Sequence, residues 1–589
     1  MFTKNLTIKE IFAQAAKDYK KNNFKSAEKL YKEILKKNPN HFDSIVLVGT
    51  LSAQFGKLEI AKQLFQKAIQ INPNYPQVYY NLGLVFKEIG EYKKAISYYE
   101  KAIKIKPEYF IAYNNLGIVF YELGEFQKAI SCYEQAIQIN PDFVNGHFCL
   151  GNVLEELSEN EKAKSCYERA IQINPDFVNG HFGLGNVLEE LGEYQKAIGC
   201  YKKAIQIQPN HVEAYNNLAF VFKGLGEYQK AIACYEDAIK CQSENLVSIY
   251  LLSELKKEVL DLNLKKKIIN IINKENCTKK NYVYGNFLLA KYELEISNYE
   301  KEFSYLLKTH FHYLDLRRSF FNKEIDYWLN RLPKEKELVN FKKFSKSFQE
   351  DNKIKPIFIV GIPRCGSTLV EKVIASSSKY IPIGEETNIF RDFVKQMINQ
   401  NSFSNLDIRD VQSKIIKKFK QKGLIQESSN YIFTDKSLDN FFYIGLINKI
   451  FPNAKVINCR RNSLSLVMSI FKNIYKGIPW GHNLEHIFKY INIYNQMIDN
   501  YKIFFPNFIY DLQYEAFVNN PEIESKKLLE FCNLPWDKKC LEFYKRKDII
   551  SKTASSLQVK KAIYKDSGEK YLQYKQFLYK YGKKYTWFS

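Results

Sequence analysis

Apolar and polar positions in the first 245 residues of the chain repeat every 34 residues. Within each repeat, apolar residues stand three or four positions apart in two runs, which predicts two amphipathic helices per repeat. Each second run ends near a proline, which cannot continue a helix because it lacks the backbone N–H. These prolines are residues 39, 73, 107, 141, 175 and 209. The pattern therefore predicts a stack of helical hairpins.

The residues at the repeated positions indicate how the helices pack. One copy consists of Tyr79, Leu82, Gly83, Phe86, Ala95, Tyr99, Ala102 and Pro107. Gly83 and Ala95 leave room for two helices to approach closely. This order of residues resembles the tetratricopeptide signature. We predict an all-α solenoid of about seven repeats over residues 8–245, with an atypical first copy and Ser243 in place of the last proline.

Asparagines recur on the predicted concave face of this solenoid. Asn81, Asn115 and Asn217 share one position of the first helix. Amide side chains in that groove would hydrogen-bond the backbone of an extended peptide. We therefore predict that an acceptor protein or peptide binds there. In the alternative interpretation, these asparagines are only solvated or cap local turns.

Residues 246–350 keep a helical period but lose the repeat signature. Apolar residues between Phe287 and Leu307 have roughly helical spacing, which favours a degenerate further repeat. A connecting helix is expected near Leu314–Leu329. The whole segment is interpreted as a helical linker between the solenoid and a second domain.

The hydrophobic pattern changes at residue 356. Short apolar runs now alternate with helical stretches, which predicts a central parallel sheet with helices on both faces. The runs are residues 357–360, 431–434, 455–458 and 508–510. The expected fold class is therefore multidomain, with the all-α solenoid followed by an α/β domain over residues 356–589.

A glycine-containing loop joins the first of these runs to the next helix. Gly361 and Gly366 have the spacing of the nucleotide-hydrolase loop G-x-x-x-x-G-K-[ST], but Ser367 stands where that loop has lysine. Backbone N–H groups at such a loop and helix N-terminus favour a bound anion. Without the lysine, the loop suits a ligand that has a phosphate but no triphosphate tail. The alternative is an ordinary strand–turn–helix corner. Residues 362–366 are called the phosphate loop below.

Three cationic residues follow the predicted strands. Arg364, Lys436 and Arg461 each lie just past a strand end, and the carboxyl ends of parallel strands meet at one edge of a sheet. The net charge of +23 is concentrated in the same half, which has 38 basic and 22 acidic residues after position 350. This charge predicts an anionic ligand or an acidic partner. Nucleic acid is not expected, because no nucleic-acid-binding motif accompanies the charge.

Cysteine and histidine spacing argues against a metal centre. The eleven cysteines contain no C-x-x-C pair, and the eight histidines do not cluster with other ligand types at metal spacing. No apolar run approaches the roughly 20 residues that cross a bilayer. The first ten residues have no apolar segment typical of a secretory signal. We therefore expect no metal, no membrane span and a cytoplasmic location.

Four motifs in residues 356–565 resemble those of sulfotransferases that use 3'-phosphoadenosine 5'-phosphosulfate. They are Pro363-Arg364-Cys365-Gly366-Ser367-Thr368, Gly384-Glu385-Glu386-Thr387, Thr434-Asp435-Lys436, and Arg461-Asn462-Ser463 through Ser469. Within that family the segment is most similar to tyrosylprotein sulfotransferases and to bacterial-type proteins with tetratricopeptide repeats ahead of a sulfotransferase domain. The resemblance implies a P-loop-like sulfotransferase fold that transfers a sulfuryl group to a hydroxyl.

The resemblance also implies where the donor binds. The 5'-phosphosulfate would be held by Arg364, Cys365, Gly366, Ser367 and Thr368. Arg461 and Ser469, eight residues apart, match the pair that holds the 3'-phosphate. Arg460 is the alternative to Arg461, although the spacing favours Arg461. Ser555 and Lys560 match a late loop that closes on the donor, and the alternative there is a lysine-rich surface segment.

Catalytic roles follow from the same resemblance. Glu386 matches the general base, with Glu385 as the alternative. Lys436 and Arg364 match the cations that stabilise the departing phosphate and the sulfuryl oxygens, so no metal is required. The implied acceptor is a tyrosine of a protein or peptide, although Asn388 stands where the tyrosine enzymes tend to have arginine. The alternatives are sulfation of a glycan, glycolipid or small phenol, a non-catalytic repeat-based adaptor, and a nucleoside-triphosphate kinase, which the missing loop lysine disfavours.

Overall fold

The computed structural model describes residues 7–157, 159–335, 354–377, 381–400, 407–425, 432–475, 477–546, 563 and 568–588. The chain divides into two compact units. The first consists of Met1–Lys223 and Gln229–Gln242, and the second of Gly224–Tyr228 and Ser243–Ser589. The predicted boundary between 350 and 356 falls partly outside the described residues. The predicted domain limits stay predictions.

Fourteen helices between residues 8 and 241 form seven consecutive pairs. They are Ile8–Lys20, Phe24–Lys37, Phe42–Gln54, Leu58–Ile71, Pro76–Ile89, Tyr92–Ile105, Phe110–Glu122, Phe126–Ile139, Val144–Glu156, Asn160–Ile173, Val178–Glu190, Tyr194–Ile207, Val212–Leu225 and Tyr228–Cys241. Each second helix begins within a few residues of the end of the first, because only a short turn separates them. The all-α solenoid predicted from the 34-residue period is confirmed.

Glycine and tyrosine at fixed repeat positions hold the two helices of a pair together. A Cβ atom built on Gly83 would lie 2.5 Å from Tyr99, and one on Gly117 would lie 2.6 Å from Tyr133. Both tyrosine rings are buried. Because real Cβ atoms essentially never show such short distances, glycine at these two positions lets the tyrosine of the second helix pack directly across the first.

Exchanging one of these glycines should destabilise the solenoid. We expect Gly117→Ala to cost roughly 1–3 kcal/mol, because the buried ring of Tyr133 cannot move aside without further rearrangement. Gly199→Ala is the matched control, since it lies inside the helix Tyr194–Ile207 and its Cβ would meet nothing within 4 Å. That control should stabilise by about 0.5–1 kcal/mol. Thermal unfolding followed by far-ultraviolet circular dichroism measures both, and equal shifts would contradict the packing argument.

The second unit begins with helices that precede the sheet. They are Leu246–Ser253, Leu262–Ile272, Lys279–Glu295, Tyr299–Leu316 and Arg318–Asp326, followed by a π-helical turn over Tyr327–Arg331. Short 3₁₀ turns lie at Lys257–Val259 and Leu332–Lys334. The connecting helix expected near Leu314–Leu329 is divided at Arg317, because the φ of that residue is −121°, outside the helical range.

Within the described residues, four parallel strands form the central sheet. They are β1 (Ile357–Gly361), β2 (Thr434–Asp435), β3 (Lys455–Arg460) and β4 (Ile509–Gln513). Their order is β2-β1-β3-β4, so β1 lies inside the sheet and every residue of β1 is buried. The predicted parallel sheet is confirmed. β2 shares only Thr434 with the predicted run 431–434, since Ile432 and Phe433 precede the strand and Tyr431 lies outside the described residues.

Helices surround this sheet. They are Ser367–Ala375, Ile389–Gln400, Ile408–Gln421, Ile444–Ile450, Ser463–Phe471, Leu484–Phe504, Tyr514–Asn519, Pro521–Phe531 and Lys575–Gly582. Further 3₁₀ turns span Leu438–Tyr443, Pro479–His482, Lys538–Lys545 and Gly568–Tyr574. The helix Ser367–Ala375, which follows the phosphate loop, is called the loop helix below.

Buried polar contacts attach the helix Tyr299–Leu316 to the sheet domain. Nδ1 of His310 lies 2.9 Å from Nδ1 of His482, and Nε2 of His310 donates to the Phe471 carbonyl at 2.6 Å. Lys472 Nζ lies 2.8 Å from Glu302 Oε1 and donates to the hydroxyl of Tyr574 at 2.6 Å. These contacts join the linker helices and the C-terminal segment to the end of the helix Ser463–Phe471.

Candidate functional site

The phosphate loop leaves β1 and turns directly into the loop helix. Arg364 and Gly366 have φ values of 75° and 97°, and Gly366 is the N-cap residue of that helix. Ser367 and Thr368, the first two helical residues, are buried. The turn brings the N–H groups of the helix N-terminus to the carboxyl edge of the sheet, where they favour an anion.

Tyr514, which was not predicted as a site residue, connects two parts of this edge. A Cβ on Gly366 would lie 2.3 Å from Cδ2 of Tyr514, so the ring packs directly on the loop. The guanidinium of Arg461 lies over the same ring, 4.5 Å from its centroid. Arg461 also donates from Nη1 to the Arg364 carbonyl at 3.0 Å. The contact therefore holds the cation that follows β3 against the loop that follows β1.

A side chain at position 366 should disrupt this arrangement. We expect Gly366→Ala to lower the thermal midpoint and abolish nucleotide binding, since the added methyl group would overlap the Tyr514 ring. Gly423→Ala is the matched control, because Gly423 has a φ of 73° and open space around its Cβ. The control should lose only about 1–2 kcal/mol of stability, the cost of placing a residue with a Cβ in the left-handed conformation. Calorimetric binding and thermal melts distinguish the two, and retained binding in Gly366→Ala would refute the packing role.

The structure separates Arg460 from Arg461. Arg460 faces carboxylates, with Nη2 at 3.2 Å from Asp499 Oδ1 and Nε at 3.5 Å from Asp511 Oδ1. Arg461 instead reaches the phosphate loop. Ser469 is buried two turns further along the helix Ser463–Phe471. Of the two arginines, Arg461 is the one beside the predicted phosphate site.

Lys436 and Glu386 form an ion pair at the same edge. Lys436 directly follows β2, its side chain is 1% exposed, and its Nζ lies 3.3 Å from Oε1 of Glu386. The Glu386 side chain is 52% exposed. Burial alone would lower the pKa of Lys436, but the carboxylates of Glu371, Glu386 and Glu385 outweigh that effect and raise its pKa. The lysine is therefore a permanent buried cation in contact with a solvent-accessible carboxylate.

Backbone hydrogen bonds attach the Gly-Glu-Glu-Thr segment to β2. The Gly384 N–H donates to the Thr434 carbonyl at 2.9 Å, and the Lys436 N–H donates to the Glu385 carbonyl at 2.6 Å. A Cβ on Gly384 would lie 2.3 Å from the Thr434 oxygen, so only glycine fits there. Thr387 Oγ1 donates to buried Asp435 at 2.6 Å. These bonds fix Glu386 next to Lys436.

Glu371 is a second residue of this site that the sequence pattern did not predict. It lies one turn into the loop helix, is 2% exposed, and accepts hydrogen bonds on Oε1 from Thr434 Oγ1 at 2.8 Å and from the Glu385 N–H at 3.2 Å. Burial raises the pKa of Glu371 to about 7. The only signal in the sequence was a glutamate among apolar residues at the start of a helix.

Two buried thiols flank β1. Cys365 lies in the phosphate loop, and Cys459 pairs with Gly361 in the register of β1 and β3. A hydrogen bond with Cys459 and the nearby Ser367 lower the pKa of Cys365. The same hydrogen bond and burial raise the pKa of Cys459.

The remaining predicted site residues are the two of the late loop and the asparagines of the solenoid. Ser555 and Lys560 lie outside the described residues. The solenoid asparagines are half-buried and bond to neighbouring repeats. Asn81 donates to Thr50 at 3.4 Å, Asn115 to Tyr80 at 3.2 Å, and Asn217 to Asn186 at 2.9 Å. Each amide group of this set therefore already has an internal acceptor.

The described residues contain neither a metal-ligand cluster nor a membrane-spanning helix. No group of three or more histidine, cysteine, aspartate or glutamate residues in those ranges could hold a metal ion. None of the helices in the described part of the chain is both long enough and apolar enough to cross a membrane.

Protein-family models match both halves of the chain. A model described as the sulfotransferase family matches residues 356–538. Models of the tetratricopeptide repeat match residues 53–90, 83–124, 110–143, 132–165, 156–192 and 176–244. The first match contains the phosphate loop, Glu386, Lys436 and Arg461.

Individual proteins show more limited similarity. An uncharacterized protein of Aquifex aeolicus (strain VF5) is 33% identical over 238 residues, which are 38% of this chain and 31% of that protein. The chain thus spans about a third of the length of this curated relative. MamA is 24% identical over 28% of this chain and 95% of its own, with a TM-score of 0.27. YrrB, described as a TPR protein with an unusual peptide-binding site, is 22% identical over 32% of this chain and 96% of its own, with a TM-score of 0.28.

Proposed function

Because this chain joins tetratricopeptide repeats to a sulfotransferase-family domain, we propose that it transfers a sulfuryl group from 3'-phosphoadenosine 5'-phosphosulfate to a hydroxyl. The observation that carries the proposal is the edge of the sheet where Arg364, Lys436 and Arg461 follow three neighbouring strands. A carboxylate, Glu386, touches one of these cations at 3.3 Å. Such an edge offers cations that bind an anionic donor and a carboxylate that accepts the proton of the hydroxyl.

The donor fits the groups at this edge. The N–H groups of the loop helix and Arg364 provide for the 5'-phosphosulfate. Arg461 and Ser469 provide a guanidinium and a hydroxyl for the 3'-phosphate, and charge-assisted hydrogen bonds of this kind are the strong ones. Arg461 is held in place by Tyr514 on one side and by the Arg364 carbonyl on the other.

Sulfuryl transfer is an in-line displacement at sulfur. The acceptor O–H bond breaks and its proton passes to the carboxylate of Glu386, while the acceptor oxygen forms a bond to sulfur. The bond from sulfur to the 5'-phosphate oxygen breaks, which leaves adenosine 3',5'-bisphosphate. Lys436 and Arg364 stabilise the charge that develops on this leaving group and on the sulfuryl oxygens.

For the acceptor we propose a tyrosine of a protein or peptide. The repeats support a protein partner, because a stack of helical hairpins presents an extended groove suited to a peptide. Asn81, Asn115 and Asn217 would have to exchange internal hydrogen bonds for bonds to that peptide. The excess of basic residues in this half of the chain favours an acidic acceptor.

Donor binding tests the proposal directly. Isothermal calorimetry with adenosine 3',5'-bisphosphate should show binding to the wild type and loss of binding in Arg461→Ala. Arg460→Ala is the matched control, because Arg460 faces Asp499 and Asp511 and should bind normally. Absence of binding to a folded wild-type protein would end the proposal.

The acceptor is identified by a separate screen. Purified protein is incubated with donor carrying radioactive sulfur and with acidic tyrosine peptides, phenylalanine-substituted peptides, oligosaccharides, glycolipids or small phenols. Labelled products are then assigned by mass spectrometry. Label on the tyrosine peptides alone supports a protein acceptor. Label on a sugar would contradict that acceptor and support a glycan or glycolipid instead.

A further inference from the structure

Glu371 occupies the junction between the two halves of the site. It belongs to the loop helix, yet its Oε1 accepts from Thr434 of β2 and from the Glu385 N–H of the Gly-Glu-Glu-Thr segment. Glu371 lies four residues beyond Ser367, which is about 6 Å along a helix at 1.5 Å per residue. A buried carboxyl group therefore stands about one helical turn from the place proposed for the donor's 5' group.

Charged groups near Glu371 come from the end of β2 and from the Gly-Glu-Glu-Thr segment. Lys436 favours its ionised form, and Glu385 and Asp435 oppose it. Glu386 acts on the same lysine as Glu371, since the carboxylates of both raise the pKa of Lys436. One buried cation is thus surrounded by several carboxylates before any ligand binds. A multiply charged anion that enters this region competes with those carboxylates for the same lysine.

We propose that Glu371 takes up a proton when the phosphorylated nucleotide binds at the phosphate loop, so that donor binding is coupled to protonation of a buried carboxyl group. The inference rests on the proposed function, because it requires the nucleotide to bind there. A nearby negative charge disfavours an ionised carboxylate. By linkage, protonation of Glu371 must then strengthen nucleotide binding by the same factor.

Glu371 is a better proton acceptor than Asp435 or Glu386. Asp435 is also buried, but it accepts from Thr387 Oγ1, Ser437 Oγ and the Ser437 N–H, and these bonds favour its ionised form. Glu386 is half-exposed, so water screens the charge of the nucleotide there. Glu371 accepts hydrogen bonds only from Thr434 Oγ1 and the Glu385 N–H among the contacts described above. Its pKa of about 7 means that it can gain or lose a proton near neutral pH.

Coupling to the protonation of Glu371 determines whether nucleotide affinity rises or falls with pH. Below about pH 7 the carboxyl group is already protonated and nucleotide binding is strongest. Above that pH, binding has to bring a proton with it and becomes weaker. We expect the affinity to fall about tenfold between roughly pH 6 and pH 8.5, within the range usual for coupled sites.

Proton uptake is measured by calorimetry with adenosine 3',5'-bisphosphate in two buffers of different ionisation enthalpy. Wild-type protein should take up a substantial fraction of a proton per nucleotide near pH 7. Glu371→Gln keeps an oxygen acceptor for both hydrogen bonds but cannot titrate, so this uptake should be lost and the affinity should stay high at alkaline pH. Glu522→Gln, in an exposed pair with Lys526, is the control and should behave as wild type.

Protonation of the nucleotide's own phosphates contributes equally to every variant, so the difference in proton uptake between wild type and Glu371→Gln isolates Glu371.

Thr434→Val provides a second measurement if Glu371→Gln folds poorly. It removes a hydrogen bond that lowers the pKa of Glu371, so the maximum of proton uptake should move to higher pH. Equal uptake in wild type and Glu371→Gln, or an unmoved maximum in Thr434→Val, overturns this inference alone. Failure of the wild type to bind the nucleotide overturns the proposed function as well.

Discussion

Lys436→Met is expected to slow sulfuryl transfer by about 10²–10³-fold, the usual cost of removing one group that stabilises developing charge. The lysine is nearly completely buried, and nearby carboxylates keep it protonated. Its charge therefore acts in a region that water cannot screen. Single-turnover rates with saturating labelled donor measure the chemical step apart from binding.

The variant also leaves Glu371 without its counter-charge, so lost activity has to be separated from lost stability. The double variant Lys436→Met with Glu371→Gln restores the charge balance of the buried cluster. We expect its thermal midpoint to recover toward that of the wild type, while its rate stays as low as that of Lys436→Met. Recovery of activity together with stability would mean that Lys436 has only a structural role.

Glu386→Gln is expected to lower kcat by about 10²–10⁴-fold, the range for losing a general base, while nucleotide binding is kept. The glutamine has nearly the same shape and still accepts a hydrogen bond from Lys436, but it cannot take the acceptor's proton. Initial rates at varied acceptor concentration measure kcat, and calorimetry measures nucleotide binding. Loss of binding would show that the variant affects more than proton transfer.

Glu385→Gln is the matched control for this variant. Glu385 has a φ of 46°, its N–H donates to Glu371, and its carbonyl accepts from the Lys436 N–H. These hydrogen bonds are made by backbone groups that the substitution keeps, whereas the charge of the Glu385 carboxylate near Lys436 is lost. We expect a change in kcat of less than about tenfold. A large loss in Glu385→Gln with a small one in Glu386→Gln would exchange the roles of the two residues.

The solenoid shows how far sequence alone can lead. Each repeat is built from contacts between residues that lie close together in the chain, such as Gly117 with Tyr133. The 34-residue period therefore carries nearly all the information needed for that fold. The division of the connecting helix at Arg317 was missed, because apolar periodicity continues across a single non-helical residue.

In the sheet domain, the sequence predicted some of the site residues but not others. The phosphate loop, its helix and the cations after β2 and β3 were predicted because each is a local motif beside a strand. Tyr514 and Glu371 were not. Tyr514 lies 148 residues after Gly366 in the chain, and Glu371 lies 63 residues before Thr434, so only the folded arrangement brings these pairs into contact.

The sequence by itself therefore determined the repeats, the strand–loop–helix and the residues that follow each strand, since these depend on spacing along the chain. Only the tertiary structure decided that Arg461 rather than Arg460 reaches the loop, that Glu386 contacts Lys436, and that Glu371 is buried between the two halves. Burial and charge proximity are properties of neighbours in space, and parallel strands bring together residues from distant parts of the chain.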